Sequence, residues 1–431
     1  MRAIVVGAGL IGASTALALK QVGIHPTLYE QEQSINKVTG LESLSTPVEF
    51  EETGGAVILS TNALRLIRSL GLLEEVMTQS SVCPSTTYFK INGSGAISKA
   101  TSKLVSKSDA TLSVPRQILY SKWRSILLQA CQRSGIRCFT GKKLHAVNET
   151  KRGIIAFFHD GSTTTGDFLV GADGMHSATR QSIFGVDSVA GFTGVLEYTG
   201  VVKLKEIGIT VQEDRACYVD RDRKRLVWVH KPSEDFGVIQ IVHGGDNPRS
   251  SEDEQFPTVL NVDKESKRLG DMVSGWGVPK HVETLIRNAF RISFGPVYDL
   301  PNLEVYHKRN VALLGDAAHG TAPYSALNLE TGLEGVGILQ ELFSQLQGIE
   351  DAQQVFELYS RIHLPKGHLA SKQSRDFVMQ LYSKSTIGYI WKRLSNYLPD
   401  FKYVEMNAGN QFDFVSEVTA AIGEFKETQR P

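Results

Sequence analysis

The feature that most constrains the fold is a short apolar strand that runs directly into a glycine-rich turn. Residues 3–6 read Ala-Ile-Val-Val, and Gly-Ala-Gly-Leu-Ile-Gly occupies the next six positions. This order of strand, glycine turn and helix start is typical of the first βαβ unit of a Rossmann-like sheet. In such a unit Gly7 permits the tight turn and Gly9 lets the backbone approach a pyrophosphate. Gly12 then lets the helix pack against the strand.

An acidic residue ends the second strand of this unit. Residues 25–29 predict that strand, and Glu30 follows it, 18 residues after Gly12. A carboxylate at this position accepts a hydrogen bond from a ribose hydroxyl and disfavours a 2′-phosphate. A glycine turn without a ligand is the alternative. Strand, helix, second strand and acid are all present, so the sequence predicts a dinucleotide site.

Two later turns have a related pattern. Residues 164–170 predict a strand that leads into Gly-Ala-Asp-Gly, with Asp173 and Gly174 at its end. Residues 311–314 are apolar and lead into Gly-Asp, ending at Asp316. Alone, an Asp-Gly pair is compatible with a plain loop. The N-terminal turn and the Asp316 turn together indicate one long cofactor touched by two parts of one sheet, which FAD fits better than NAD.

Composition limits the class of protein. A chain of 431 residues suggests two or three lobes. Lys plus Arg and Asp plus Glu number 46 each, which argues against a nucleic-acid partner. The sequence has no run of about 20 apolar residues, so we expect no stable membrane insertion. The cysteines have no C-x-x-C spacing, so we expect no zinc or other metal site and a cytoplasmic location; they are Cys83, Cys131, Cys138 and Cys217.

In the order and spacing of these motifs, the chain resembles the group A flavin monooxygenases, which share the p-hydroxybenzoate hydroxylase-type fold. Residues 54–59 with Asn62 resemble the family's stretch after the ribose acid. Arg116 and Leu119 match its R-x-x-L element. The resemblance covers about residues 1–370 and is thin where such proteins diverge with their substrates.

The resemblance implies roles for the cofactor residues. Gly7, Gly9, Gly12 and Glu30 would hold the ADP half of FAD. Arg116 would lie near the FAD phosphate or ribityl chain.

Further along the chain, the resemblance implies that Asp316 binds the ribityl hydroxyls. Asp173, Gly174 and Arg180 belong to a motif that the family links to both FAD and NAD(P)H. Pro323 would begin the loop beside the isoalloxazine ring.

That loop, residues 323–330 and called the flavin loop below, departs from the family pattern. The usual P-x-G-x-Q-G-x-N is here Pro-Tyr-Ser-Ala-Leu-Asn-Leu-Glu. Ser325 and Asn328 replace glycines, and Glu330 replaces the asparagine. Since Asn is the residue best tolerated after glycine at positive φ, we expect the loop to keep its shape with altered flavin contacts.

The reaction implied by the resemblance begins with reduction of FAD by NADPH or NADH. O2 then adds at the flavin C4a, and the hydroperoxide hydroxylates or epoxidises an aromatic or polycyclic organic substrate. Tyr324 and Glu330 are the candidate catalytic residues, with Tyr198 and His243 as further candidates. A structural role for His319 is favoured over proton transfer.

Two other classes stay open. One is a redox-neutral or oxidase-type flavoenzyme on the same fold, which steady NAD(P)H consumption would distinguish. The other is a non-catalytic FAD carrier, against which Arg116, Asp173 and Asp316 argue.

The predicted architecture is an α/β fold with a Rossmann-like FAD-binding domain, a substrate domain and a helical C-terminal tail. The FAD-binding domain is discontinuous, with residues 1–75, 100–185 and 285–345. An antiparallel three-stranded appendage is expected within residues 144–168. The substrate domain, residues 76–99 and 186–284, has a mixed or antiparallel sheet, and residues 346–431 are helical. The expected strands of the substrate domain are Val195–Lys203, Ala216–Asp220, Arg225–His230 and Gly237–His243.

Overall fold

The structure is a computed structural model. It describes residues 1–93, 95–101, 112, 114–151, 153–220, 222–246, 259–322, 327–346, 352–382 and 413–428. These residues form nineteen strands and twelve α-helices, which are numbered along the chain. Among the described helices, none has the length and apolar character needed to span a bilayer.

A six-stranded sheet forms the first layer, with the strand order β18-β19-β12-β1-β2-β8. All neighbouring pairs are parallel except β18 and β19. The Rossmann-like prediction is therefore confirmed, and the turns after β1, β12 and β19 meet at one edge of one sheet. The strands are β1 (Arg2–Val6), β2 (His25–Tyr29), β8 (Arg137–Phe139), β12 (Phe168–Gly171), β18 (His307–Lys308) and β19 (Val311–Leu313).

Helices cover this parallel sheet and contribute to the main core. Ile4, Leu28 and Phe168 from the strands are buried with Leu19 and Phe356 from the helices. The helix that follows β1 buries nine of its twelve residues, because the sheet and two further helices surround it. The helices are α1 (Leu10–Gln21), α4 (Tyr120–Arg133), α5 (Ala178–Phe184), α9 (Asp316–His319), α10 (Leu327–Gln345), α11 (Ala352–Tyr382) and α12 (Phe414–Thr428).

The predicted three-stranded appendage is confirmed, with β9 (Leu144–Thr150), β10 (Gly153–Phe158) and β11 (Thr163–Gly166) in antiparallel order. The single strand predicted over residues 164–170 is wrong, because it divides at Asp167. The Asp167 carboxylate accepts a hydrogen bond from the Arg2 backbone N–H at 2.6 Å. The Asp167 N–H donates back to the Arg2 carbonyl at 2.8 Å. This pairing separates β11 from β12.

A seven-stranded sheet forms the second layer, in the order β17-β13-β16-β15-β14-β5-β6. Only β14 and β5 are parallel, so the predicted mixed or antiparallel sheet is confirmed. Three helices accompany it: α6 (Leu204–Ile207), α7 (Val262–Trp276) and α8 (Lys280–Arg287). The strands are β5 (Ser85–Lys90), β6 (Ala96–Thr101), β13 (Gly191–Lys203), β14 (Arg215–Asp220), β15 (Arg225–His230), β16 (Phe236–Gly244) and β17 (Arg291–Asp299).

The predicted return to the FAD-binding domain at residue 285 is wrong for β17. This strand pairs with β13 from Arg291↔Val201 to Asp299↔Gly191 and so belongs to the seven-stranded sheet. A small sheet lies between the two layers, and two short helices flank it. Its strands are β3 (Ala56–Leu59), β4 (Ser81–Val82) and β7 (Arg116–Leu119), and the helices are α2 (Thr61–Ser69) and α3 (Leu73–Gln79).

The two faces of the seven-stranded sheet have different neighbours. The outer face, with Tyr198 and Ile241, packs against α7 and α8. The inner face includes Val195 and Trp228, which pack with Ala322 immediately before the flavin loop. Since side chains alternate along a strand, every second residue of these strands is directed to the layer that contains the parallel sheet.

Candidate active site

The turn after β1 requires glycine at two of its three positions. Gly7 has a φ of 98°, and a Cβ there would lie 2.4 Å from the Ala172 carbonyl oxygen. A Cβ on Gly12 would lie 1.9 Å from the Gly7 oxygen. A Cβ on Gly9 would meet only the Tyr120 hydroxyl, at 3.6 Å. α1 begins after Gly9 without a side-chain cap, so its first N–H groups and the space beside Gly9 suit an anion such as pyrophosphate.

Glu30 lies at the end of β2 and fixes this turn. Its carboxylate accepts from the Ala8 N–H at 2.6 Å and from the Glu32 N–H at 2.9 Å. Each carboxylate oxygen has a second lone pair, so a ribose hydroxyl can still bind here.

Sequence reasoning missed Arg124, which neutralises this acidic corner. Its guanidinium donates to the Ala8 carbonyl at 3.1 Å and to the Glu32 carboxylate at 2.8 Å. It also lies 3.7 Å from the Glu30 carboxylate. The available signal was a lone arginine beside Trp123 on the apolar face of α4, since such a residue is seldom buried unless it is paired.

Arg116 is directed to another part of the protein. Its guanidinium donates to the Ser80 hydroxyl at 2.7 Å, the Ser80 carbonyl at 2.6 Å and the Met77 carbonyl at 3.1 Å. These bonds satisfy backbone oxygens at the end of α3. The contact with an FAD phosphate or ribityl chain implied for Arg116 stays a prediction.

The Asp173 carboxylate is occupied by its own helix. It accepts from the Ser177 hydroxyl at 2.5 Å and from the Thr179 N–H and hydroxyl at 2.9 and 3.0 Å. Gly174 provides the positive φ, 78°, that the turn needs. Asp173 therefore stabilises the start of α5, and the direct link to FAD or NAD(P)H stays a prediction.

Arg180, buried in α5, connects the Asp173 turn to the Asp316 turn. Its guanidinium donates to the carbonyls of Ala317 and Ala318 at 3.1 and 2.8 Å. Two further bonds reach the carbonyls of Ser188 and Pro301. Burial lowers the pKa of Arg180 to about 10, which leaves it charged at neutral pH. Four acceptors on three segments thus hold α9 in place.

Asp316, the first residue of α9, has a different environment. Its side chain is partly accessible, and burial raises its pKa to about 6. Among the described residues, no donor forms a hydrogen bond with this carboxylate. A carboxylate held without a donor is well suited to hydroxyl groups such as those of a ribityl chain. The Gly9 turn and Asp316 lie at the same sheet edge, so the residues present fit FAD.

His319 faces away from that edge. Its Nε2 lies 3.1 Å from the Nε2 of His363 on α11, and both rings are buried beside Tyr306. Burial lowers the pKa of His319 to about 4, so the ring is neutral. These contacts support the structural role favoured from the sequence.

Glu330 lies in the first turn of α10 and is directed to α2. The Asn62 amide nitrogen is 3.4 Å from the Glu330 carboxylate and 2.9 Å from that of Glu334. Burial raises the pKa of both acids, that of Glu334 to about 7, and Lys366 lies 3.9 Å from Glu334. Tyr324 and Pro323 lie outside the described residues, so their roles stay predictions.

The other two candidate bases lie on the outer face of the seven-stranded sheet. Tyr198 stacks on Phe294, with ring centroids 4.4 Å apart, and His243 lies edge-on to Trp276 of α7. Neither side chain is directed to the parallel sheet, so proposing them as bases was wrong. Glu197 lies on the inner face, and its place between Val195 and Thr199 in a strand of alternating sides was the signal that sequence reasoning missed.

Residues 1–367 match the family of FAD binding domains. The chain belongs to this family. It is 26% identical over 364 residues to the FAD-dependent urate hydroxylase of Klebsiella pneumoniae, covering 83% of this chain and 85% of the relative. It is 25% identical over 387 residues to the 6-hydroxynicotinate 3-monooxygenase of Bordetella bronchiseptica, covering 87% and 91%.

Solved structures share the fold. Klebsiella pneumoniae HpxO with FAD and uric acid has a TM-score of 0.75 at 20% identity, with 97% of each chain covered. A salicylate hydroxylase substrate complex has a TM-score of 0.70 at 19% identity, with 98% of each chain covered. The group A assignment made from the motifs is confirmed: the protein is an FAD-dependent monooxygenase with a p-hydroxybenzoate hydroxylase-type fold.

Proposed function

We propose that this enzyme uses NADPH or NADH and O2 to hydroxylate or epoxidise an aromatic or polycyclic organic substrate. The observation that carries the proposal is the Asp316 carboxylate, to which no described residue donates, at the same sheet edge as the open Gly9 turn. The inner face of the seven-stranded sheet lies beside the segment that leads into the flavin loop. Cofactor site and candidate substrate surface are therefore adjacent, as an oxygen transfer between them requires.

The residues of the chain divide the work. The N-terminus of α1 attracts the pyrophosphate, Glu30 accepts from a ribose hydroxyl, and Asp316 accepts from the ribityl chain. Bound FAD would supply the reduction of O2 and an electrophilic oxygen. The seven-stranded sheet would orient the substrate and exclude water from the reacting atoms.

The relatives support a planar ring compound as substrate. Their names include a urate hydroxylase, a 6-hydroxynicotinate 3-monooxygenase and a 6-methylsalicylate 1-monooxygenase from Aspergillus terreus. Each name specifies a ring that already carries oxygen. We propose the same broad class here and, from the cysteine pattern, a cytoplasmic location.

The test begins with the cofactor. Purified protein should be yellow and should release FAD rather than FMN on denaturation, because FMN lacks the ADP that Gly9 and Glu30 are placed to hold. NAD(P)H oxidation should be slow alone and faster with substrate, and one atom of ¹⁸O₂ should enter the product. Product formed without O2 and without nicotinamide would instead establish the redox-neutral reading. If the protein binds FAD but turns over no compound in a panel of aromatic and polycyclic substrates, the result would favour a non-catalytic FAD carrier.

A further inference from the structure

The inner face of the seven-stranded sheet carries the acid Glu197, with Thr199 and Gln240 as polar neighbours. Asp299, at the end of β17, is a second acid on this face and pairs with Arg375. Glu197 of β13 is 5% exposed. Its cross-strand partners are Val242 on β16 and Gly295 on β17. Because Gly295 has no side chain, the space beside the carboxylate is not filled from that strand.

Neutral groups hold one oxygen of this carboxylate. Oε1 accepts from the Thr199 hydroxyl at 3.1 Å and from the Gln240 amide nitrogen at 3.0 Å. No residue in the described part of the chain donates to Oε2. A nearly buried carboxylate thus has one oxygen fixed and the other without a partner, which is an arrangement suited to a ligand donor.

The neighbouring amide also contacts a histidine. The Gln240 oxygen lies 2.9 Å from Nε2 of His230. Burial lowers the pKa of His230 to about 3, so the ring is neutral, and Nε2 must carry the proton that this bond needs. With its N–H donated to the Glu197 carboxylate, which can only accept, the Gln240 amide directs its oxygen to His230.

The cations of this face have other contacts. Arg291 pairs with Glu52 at 2.8 Å, and Arg215 lies over the Trp228 ring, 4.0 Å from its centroid. None of the described ion pairs includes Glu197. Burial accordingly raises the pKa of this carboxyl to about 7. A second carboxylate placed here would be repelled, whereas an N–H or O–H group would be stabilised.

The surroundings place Glu197 between two segments of the FAD-binding layer. A Cβ on Gly55 would lie 2.8 Å from Thr199 and 3.9 Å from Gln240. Two residues before Glu197, Val195 packs with Ala322 ahead of the flavin loop. Glu197 therefore lies on the face directed to the segment before the flavin loop, which the proposed function takes as the substrate side.

We propose that Glu197 is a substrate-binding and specificity-determining carboxylate that selects a neutral planar ring presenting an N–H or O–H donor and excludes an aromatic carboxylate. This inference rests on the proposed function, because it takes the inner face to be the substrate side. It narrows the substrate class to lactams, phenols and related donors.

The experiment measures ligand binding to the holoenzyme through the change in flavin absorbance. The probes are 2-quinolone, its N-methyl derivative, phenol and salicylate. We expect 2-quinolone or phenol to bind and salicylate to bind at least about tenfold more weakly. If 2-quinolone binds, N-methylation should weaken it by a similar factor, since the N–H donor is lost. Absence of binding by both neutral donors, or preferred binding of salicylate, would overturn the proposal.

The variant arm compares Glu197→Gln with Tyr198→Phe, which changes the next residue on the opposite face. Of the two neutral donors, the one that binds the wild type better should bind Glu197→Gln about tenfold more weakly. In this variant an amide N–H would face the N–H or O–H of the ligand. Tyr198→Phe should stay within about twofold. For the wild type, binding of that donor should weaken as the pH falls below about 7, as the carboxylate becomes protonated. An unchanged Kd in Glu197→Gln contradicts the proposal.

FAD content gives the independent readout. If the proposed function is wrong, wild type and both variants lack FAD or fail to oxidise NAD(P)H. If only the Glu197 inference is wrong, all three retain FAD and the ligand preferences do not follow Glu197. Should Glu197→Gln fail to fold, the N–H/N–CH₃ probe pair and the wild-type pH dependence still decide the question.

Discussion

The Asp173 turn and the Asp316 turn look alike in sequence and do different work. Each follows a buried strand, β12 or β19, and the two strands are neighbours in the parallel sheet. Asp173 accepts three hydrogen bonds from its own helix, whereas none of the described residues donates to the carboxylate of Asp316. One carboxylate stabilises the start of its own helix, and we propose that the other binds a ligand.

The residues after each aspartate explain the difference. Ser177 and Thr179 follow Asp173 within the next turn and supply its donors. Ala317 and Ala318 follow Asp316, and alanine side chains have no donor to offer. Hydroxyl residues shortly after a Gly/Asp turn therefore indicate a carboxylate used in folding, and their absence indicates one available for binding.

The largest effect should come from Asp173→Ala. The change leaves the Ser177 hydroxyl and the Thr179 N–H without their acceptor at a buried helix start. We expect the free energy of unfolding to fall by about 2–4 kcal/mol. Urea denaturation of the apo protein measures it. The comparison fails if Asp316→Ala, the matched control, destabilises the apo protein as much.

Asp316→Ala should act on the cofactor instead. Loss of a charged acceptor for ribityl hydroxyls is worth about 1.5–3 kcal/mol, so FAD should bind about tenfold more weakly or worse. The apo protein should be no less stable, because the change removes a carboxylate whose ionisation burial disfavours. Flavin fluorescence titration gives the Kd. Unchanged FAD affinity would contradict the role assigned to Asp316.

The pH dependence of FAD binding sharpens the same contrast. The pKa of Asp316 in the apo protein is raised to about 6, and hydroxyl donors would lower it again in the complex. Affinity should therefore be constant above pH 6 and fall by up to about tenfold near pH 5. The free energy of unfolding of the apo protein should follow the opposite trend. Because the pKa of Asp316 is raised in the folded protein, its contribution to stability declines as the pH rises from 4 to 6. Asp316→Asn should remove both trends, and persistence of the affinity trend would assign it to another group.

Local patterns predicted most of the elements. The strands at residues 25–29 and 225–230 lie where they were predicted. Each could be recognised from its own run of apolar residues, without knowledge of its partner strands. The domain boundary at residue 285 failed for a long-range reason: β17 looks like any short strand until its pairing with β13 is known.

The candidate site was harder to predict for the same reason. Alternation along β13 shows that Glu197 and Tyr198 face opposite sides, but it does not show which side α7 and α8 cover. The partners of Arg124 are likewise far away in sequence, since Ala8 and Glu32 reach it only through the fold. Short-range motifs located the Gly/Asp turns, and the residues after each aspartate distinguish them. The surroundings of Glu197, Tyr198 and Arg124 depended instead on contacts between distant parts of the chain.

The smallest effect on cofactor chemistry is expected at Glu330, beyond the Asp316 turn. Its carboxylate interacts with Ser60 and Asn62 at the start of α2, and it shares Asn62 with Glu334, one helical turn away. Two like charges at this spacing destabilise a helix by at least about 0.2–0.5 kcal/mol, and burial adds to this. Glu330→Gln should therefore stabilise the protein at pH 8 by about 0.5 kcal/mol or more. Burial raises the pKa of both acids, that of Glu334 to about 7, so the gain should decline as the pH falls through about 7 and Glu334 becomes protonated.

The same substitution should have little effect on the chemistry of the flavin. With the carboxylate directed to α2, Glu330→Gln should leave the flavin reduction potential and the pH profile of turnover unchanged, as should Glu341→Gln further along α10 as a control. A carboxylate about 4 Å from reduced flavin would instead disfavour its negative charge by on the order of 4 kcal/mol at an effective dielectric near 20. In that case Glu330→Gln would raise the potential measurably. Loss of the basic limb of the pH profile would show that protonated Glu330 donates in the reaction. Either result would contradict a purely structural role for Glu330 beside α2.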